Sequence, residues 1–250
     1  MNNPKQNFFL TKNNQKIHYK FINNKSPTTI IFLHGLMSNI KSKKAKYLKK
    51  FVNINKINLL LFEYSGHGRS SGRFTDFSIK NWIEDSRSII KKMIKKNKII
   101  LIGSSMGAWI AVVLIKYFYK RIKGFIGIAP APDFTEELIW KKLNTIEKTK
   151  IKRGKIYKLK SSYNNFYPIT KKFILDGKKF LVLNKEIKCD FPIELLHGIK
   201  DTSVPWFYSI RLIKTLISKK LNLTIINDGD HSLSKAQDLK KLDLAIKSII

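Results

Sequence analysis

The chain has 250 residues, 43% of them hydrophobic, with one cysteine and a formal charge of +32. That length and apolar content support a single domain with a sizeable core and exclude a disordered chain, while the lone Cys189 excludes an internal disulfide and fits a reducing compartment. The opening stretch "MNNPKQNFFLTKNNQKIHYK" has no apolar run followed by a small-residue cleavage site, and the apolar run ending at Lys116 is too short to cross a bilayer, so a cytoplasmic protein with no transmembrane segment is expected.

The positive charge is nearly all lysine, spread over every segment, with arginine scarce. Base and phosphate readers depend on arginine's planar fork, which lysine cannot copy. A solvated lysine surface is therefore expected, and no nucleic-acid partner.

In chain order, "NFFL" and "KIHYKFI" predict an opening antiparallel pair. Buried strands are predicted in "TTIIFLHG" (28–35), "INLLLFEYSGHG" (57–68), "NKIILIGSS" (97–105), "GFIGIAPAP" (124–132), "FPIELLHG" (191–198) and "LNLTIIND" (221–228). Helices are predicted between them, around 42–53, 78–96, 106–118, 205–218 and 234–250. This alternation is the pattern of an α/β fold with a mostly parallel sheet covered on both faces. From "TTIIFLHG" onward each strand runs into small or polar residues, at the edge where open α/β sheets bind ligands.

Residues 133–189 break the rhythm with "DFTEELIWKKL", a helix candidate, a basic stretch, "SSYNNFYPIT" and "KKFILDGKKFLVL". The segment is too long for a loop, and a lid inserted between two sheet strands of a single domain (1–250) is expected. Its apolar residues Phe134, Leu138, Ile139, Trp140, Phe166 and Tyr167 either face the site as an acyl pocket or pack only against the sheet.

Gly103-Ser104-Ser105-Met106-Gly107 satisfies G-x-S-x-G in one frame, with Ser105 central, after a predicted strand and before a predicted helix. A serine hydroxyl needs a base to take its proton and an acid to orient that base. In the order Ser, Asp, His, the turn "HGIKDTSVPW" offers Asp201 and "NDGDHSLS" offers His231. Asp133, at the end of the preceding strand, competes for the role of acid. Asp228 and Asp230 sit too close to His231 along the chain and suit turn or solvent roles. His18, His34 and His197 read as structural donors, and His67 stays open because its loop borders the site. The oxyanion of a tetrahedral intermediate needs two preset N–H donors, expected from Met106 and Leu36. "GHGRSSG" (66–72) fits no phosphate-loop spacing and reads as a shaping loop. The histidines and Cys189 lack ligand spacing, so no metal site is expected.

"HGLMSN", "FEYSGHGRSSG", "GSSMGAW", "LLHGIKDTSVPW" and "DGDHSLS" together resemble the α/β-hydrolase superfamily. More narrowly, they resemble the mitochondrial palmitoyl-protein thioesterase / acyl-glucuronide esterase group and its bacterial relatives, from about Thr28 to the C-terminus. The resemblance implies an α/β-hydrolase fold with a lid, Ser105 as nucleophile, Asp201 as acid and His231 as base. It also implies hydrolysis of a small or acylated ester or thioester through an acyl-enzyme, without a cofactor. Peptidase and lipase chemistry are alternatives on the same fold, and a non-catalytic basic binding protein is an alternative from another class. The asparagine-rich N-terminus carries no arginines, unlike a mitochondrial presequence, and points to a bacterial member.

Overall fold

The computed structural model describes residues 7–160 and 166–250. The first two strands, β1 (Asn7–Leu10) and β2 (Lys16–Ile22), pair antiparallel as expected, with Phe8 opposite His18. There follow β3 (Thr28–Leu33), α1 (Lys43–Ile54), β4 (Asn58–Phe62), α2 (Ile79–Met93), β5 (Lys98–Ser104), α3 (Met106–Phe118) and β6 (Ile122–Ile128). After a long insertion come β10 (Ile193–Gly198), α6 (Phe207–Thr215), β12 (Leu221–Ile226) and α7 (Ala236–Lys247).

The eight-stranded sheet has the order β1-β2-β4-β3-β5-β6-β10-β12, antiparallel through the β2–β4 pair and parallel from β4 onward. β3 and β4 are buried along their whole length, as central parallel strands covered on both faces must be. Alternation along the strands then sorts the core into two layers. Ile31, Leu33, Leu60, Leu101 and Phe125 face α2, α3 and α6, whereas Ile30, Phe32, Leu59, Ile102 and Ile126 face α1 and α7. In the first of these layers α3 has eleven of its thirteen residues buried, so its N-terminus has a fixed position against the sheet.

The insertion contains a π-helical turn (Thr135–Ile139), α4 (Thr145–Lys152), the antiparallel pair β7 (Tyr157–Lys160) and β8 (Phe166–Ile169), α5 (Lys171–Lys178) and β9 (Ile187–Lys188). The helix expected over "DFTEELIWKKL" is thus a single π turn followed by a short 3₁₀ turn. It is tied to α6, where Arg211 Nη1 meets Glu137 Oε2 at 2.7 Å. Of "SSYNNFYPIT", residues 161–165 lie outside the described residues. The helix predicted over 205–218 stops at Thr215, because Leu216 turns extended and pairs with Ile187, forming β11 (Leu216–Ile217) against β9. That pairing stitches the end of the insertion to the main domain.

Among the described residues no helix is long and apolar enough to cross a membrane.

Candidate active site

β5 ends at Ser104 and α3 begins at Met106, so Ser105 alone reverses the chain. Its φ of 54° and ψ of −119° are a conformation that residues bearing a β-carbon rarely adopt, at a cost of about 1–3 kcal/mol. Two glycines make the bend possible. A β-carbon at Gly103 would overlap the backbone of Ala108, and one at Gly107 would overlap the carbonyl of Leu33. The helix is therefore pressed against the ends of β5 and β3, and the Ser105 side chain stands out from the corner.

Two turns at the same sheet edge come to meet it. His231, in the turn after β12, places Nε2 3.0 Å from Ser105 Oγ and Nδ1 2.7 Å from Asp201 Oδ2. Asp201, in the turn after β10, has a fully buried side chain. Its Oδ1 accepts from the N–H groups of Ser203 (2.9 Å) and Val204 (2.8 Å). Burial by itself would push the Asp201 pKa up. Hydrogen bonds from His197 and His231, the His231 charge and the Val204 N–H outweigh it and hold the carboxyl well below the usual carboxylate range. The carboxylate is thus an anion fixed behind an imidazole whose other nitrogen faces a serine hydroxyl.

The competing carboxylates have other partners. Asp133 accepts from Val182 N–H (2.8 and 3.0 Å to its two oxygens) and from Leu183 N–H (2.9 Å). Asp228 pairs at the surface with Lys200 at 2.6 Å, and Asp230 accepts from Leu233 N–H at 3.0 Å. His18 sits against Glu63 at 2.9 Å. The buried rings of His34 and His67 lie with centroids 5.3 Å apart and planes tilted by 58°. Burial, with His67 adding repulsion, pushes the His34 pKa down to about 3; burial pushes His67 down to about 4. Both rings are neutral donors to carbonyls, His34 to Gly35 at 2.8 Å and His67 to Ser65 at 3.3 Å. His67 is buried and is not among the residues that line the cleft over Ser105. The loop 66–72 is pinned to β2, with Ser70 and Ser71 hydroxyls accepting from His18 and Lys16 N–H groups.

A cleft of about 1260 Å³ opens over Ser105 and His231. Leu36 and Met106 line it, and the backbone N–H of neither finds an acceptor among the described residues. The insertion supplies an apolar wall in which Phe134, Leu138, Ile139, Phe166 and Tyr167 all face the cleft. Trp140 does not. It is held inside the insertion between the ammonium groups of Lys148 and Lys178, 5.7 and 5.1 Å from its ring.

The β3–α1 connection and the start of α1 add Lys41, Lys43 and Lys44 to the lining, along with Leu36 and Met37. Nothing in the sequence pattern singles out Lys44, yet it is buried and its Nζ donates to the Ser232 carbonyl and to Ser234 Oγ (3.3 Å). It thereby ties α1 to the turn that carries His231. Burial pushes its pKa down to about 8, against the pull of Asp230 and Asp238. His197 is a second residue whose setting the sequence did not disclose, since a histidine before a strand-end glycine reads as structural. Among the described residues, no group of three or more His, Cys, Asp or Glu is arranged to hold a metal ion.

Residues 24–172 match the family model described as serine aminopeptidase, S33. The chain is 30% identical over 234 residues to the mitochondrial palmitoyl-protein thioesterase ABHD10 of Rattus norvegicus, covering 93% of this chain and 78% of the relative. Among solved structures, a hydrolase from Agrobacterium vitis S4 superposes with a TM-score of 0.93 at 30% identity, covering 98% of each chain. The mouse α/β-hydrolase domain-containing protein 10 superposes with a TM-score of 0.89 at 27% identity, covering 98% of this chain and 97% of that one. The chain thus belongs to the serine aminopeptidase S33 family and has the α/β-hydrolase fold of these enzymes.

Proposed function

We propose that this hydrolase cleaves carboxylic esters and thioesters through an acyl-enzyme on Ser105. The observation that carries the reading is the unbroken hydrogen-bonded line from Ser105 Oγ through His231 to Asp201 at the floor of the cleft. His231 Nε2 takes the Oγ proton as Oγ attacks the acyl carbonyl, and Asp201 stabilises the imidazolium that forms. The oxyanion takes the two unclaimed N–H groups of Leu36 and Met106, each worth about 2.7–4 kcal/mol in such sites. His231 then gives its proton to the leaving group, and water, deprotonated by His231 in turn, releases the acid.

The insertion is the lid of this site, and its apolar wall receives the acyl chain. Each buried CH₂ contributes about 0.8 kcal/mol, so two more of them raise kcat/KM about tenfold until the wall is filled. The name of the rat relative, a palmitoyl-protein thioesterase, accords with a long acyl group and a sulfur leaving group. Peptide cleavage from a free amino terminus fits less well. Lys41, Lys43, Lys44 and Lys160 line the cleft, with no carboxylate in that lining among the described residues to receive an α-ammonium. The substrate is a small or acylated molecule, and the compartment we propose is the cytoplasm.

A panel of oxyesters and thioesters from acetyl to palmitoyl tests the reading. The expected result is a rise in kcat/KM with chain length on both leaving groups. A maximum at acetyl would remove the acyl pocket, and turnover of aminoacyl amides above any ester would remove the ester reading itself.

A further inference from the structure

Asp201 does not meet His231 alone. His197, near the end of β10, is fully buried and places Nε2 3.1 Å from Asp201 Oδ2, the same oxygen that His231 reaches at 2.7 Å. The same Nε2 lies 2.9 Å from the Val204 carbonyl, and Nδ1 lies 2.7 Å from Ser209 Oγ on α6. Counting donors assigns the hydrogens. Carboxylate and carbonyl oxygens only accept, so Nε2 carries the ring hydrogen. The buried Ser209 hydroxyl has no acceptor among the described residues other than Nδ1, so the hydroxyl donates and Nδ1 accepts.

The Asp201 carboxylate is thereby clamped at both oxygens. Oδ1 is held by the Ser203 and Val204 N–H groups and Oδ2 by two imidazoles. Without His197, Oδ2 would keep one donor beside a vacant ring-sized space, and the carboxylate plane would be free to swing. We propose that His197 is a positioning residue for the hydrolysis, fixing Asp201 Oδ2 toward His231 and sharing the charge that this oxygen presents. Ser209 sets the tautomer that lets it do so, giving one buried chain from Ser209 through His197, Asp201 and His231 to Ser105. This inference rests on the reading of Ser105, His231 and Asp201 given under Proposed function.

Donation gives the role a signature that packing lacks. When His197 no longer donates, Oδ2 is held by His231 alone and the carboxylate can swing, so kcat falls while KM is little changed, and a side chain that restores the N–H restores the rate.

The test uses the full chain and a short p-nitrophenyl acyl ester, with His197→Leu, His197→Gln, Ser209→Ala and Asp201→Asn compared for kcat, KM and thermal unfolding. His197→Leu is expected to lose roughly 10–100-fold in kcat, the range seen when residues that orient a catalytic ligand are removed, with KM little changed. Glutamine can direct an Nε2–H at the same oxygen, so His197→Gln is expected to recover most of the rate. Ser209→Ala should fall between them, and these two variants decide the matter should the leucine variant not fold. Leucine and glutamine variants equally slow would overturn the proposal by showing packing alone. Wild-type behaviour of His197→Leu beside a crippled Asp201→Asn would overturn the His197 role and leave the triad standing. Full activity of Asp201→Asn would overturn the underlying reading, and the His197 role with it.

Discussion

After β6 the chain turns at Asp133, and after β10 it turns at Asp201; both aspartates are buried at the same edge of the sheet. Asp133, with φ at +55°, commits both oxygens to the backbone of residues 49 and 50 positions on, so it fastens the far end of the insertion. Asp201 commits only Oδ1 to the backbone, two and three residues on, and leaves Oδ2 to the imidazoles. Burial raises the Asp133 pKa because the Leu183 and Val182 N–H groups offset it only in part, whereas the donors around Asp201 overcome burial and lower its pKa. Depth below the surface is thus shared by a structural carboxylate and a candidate catalytic one. The separation lies in which oxygen is left for a group that can move a proton.

That contrast can be broken in order of effect. Asp201→Asn should lower kcat on the order of 10⁴-fold, because the amide presents the wrong partner to His231 Nδ1–H. Asp133→Asn should change kcat by less than about tenfold while costing about 1–3 kcal/mol of stability, measured by urea unfolding, since an amide has one acceptor oxygen where the carboxylate has two. Reversed effects would move the acid to the earlier strand.

A smaller effect sharpens the same comparison. An acid whose folded pKa is raised keeps its proton in the folded state while the unfolded chain releases it, so stability falls as pH rises from the unfolded value of about 4 through the folded value. Asp133 behaves in this way, and the stability penalty of Asp133→Asn should shrink with rising pH across that window. For Asp201, whose folded pKa is lowered, the contribution is present above about pH 4 and is lost as pH falls through the folded value. The penalty of Asp201→Asn should therefore grow with rising pH below about pH 4. Urea midpoints of the two variants from pH 3 to 7 that trend in the same direction would contradict the assignment.

The main sheet was legible because its signals are local. Strands such as "TTIIFL" are apolar throughout, and "MGAWIAVVLIKYF" fills α3 end to end. The elbow was legible because Gly103 and Gly107 are demanded by close backbone approach, which leaves a mark at fixed spacing. The order Ser105, Asp201, His231 follows the strand ends, and the structure brings those three side chains within hydrogen-bonding distance. The interior of the insertion was not legible, since its π turn and the β9–β11 pair depend on partners far along the chain. For the same reason Asp133 gave no hint of Val182, nor Lys44 of Ser232. His197 reads from the sequence as a structural donor, and its link to Asp201 is not legible because its other partner Ser209 lies on a helix twelve residues on, with no motif linking them.

The central claim is that Ser105 is the nucleophile of an acyl-transferring hydrolase. Labelling with a fluorophosphonate, followed by mass mapping of the modified peptide, tests it most directly. The expected result is a single adduct on Ser105, absent from Ser105→Ala and retained in Ser104→Ala. An adduct on Ser104, full labelling of folded Ser105→Ala, or no adduct on the folded wild-type chain would contradict it.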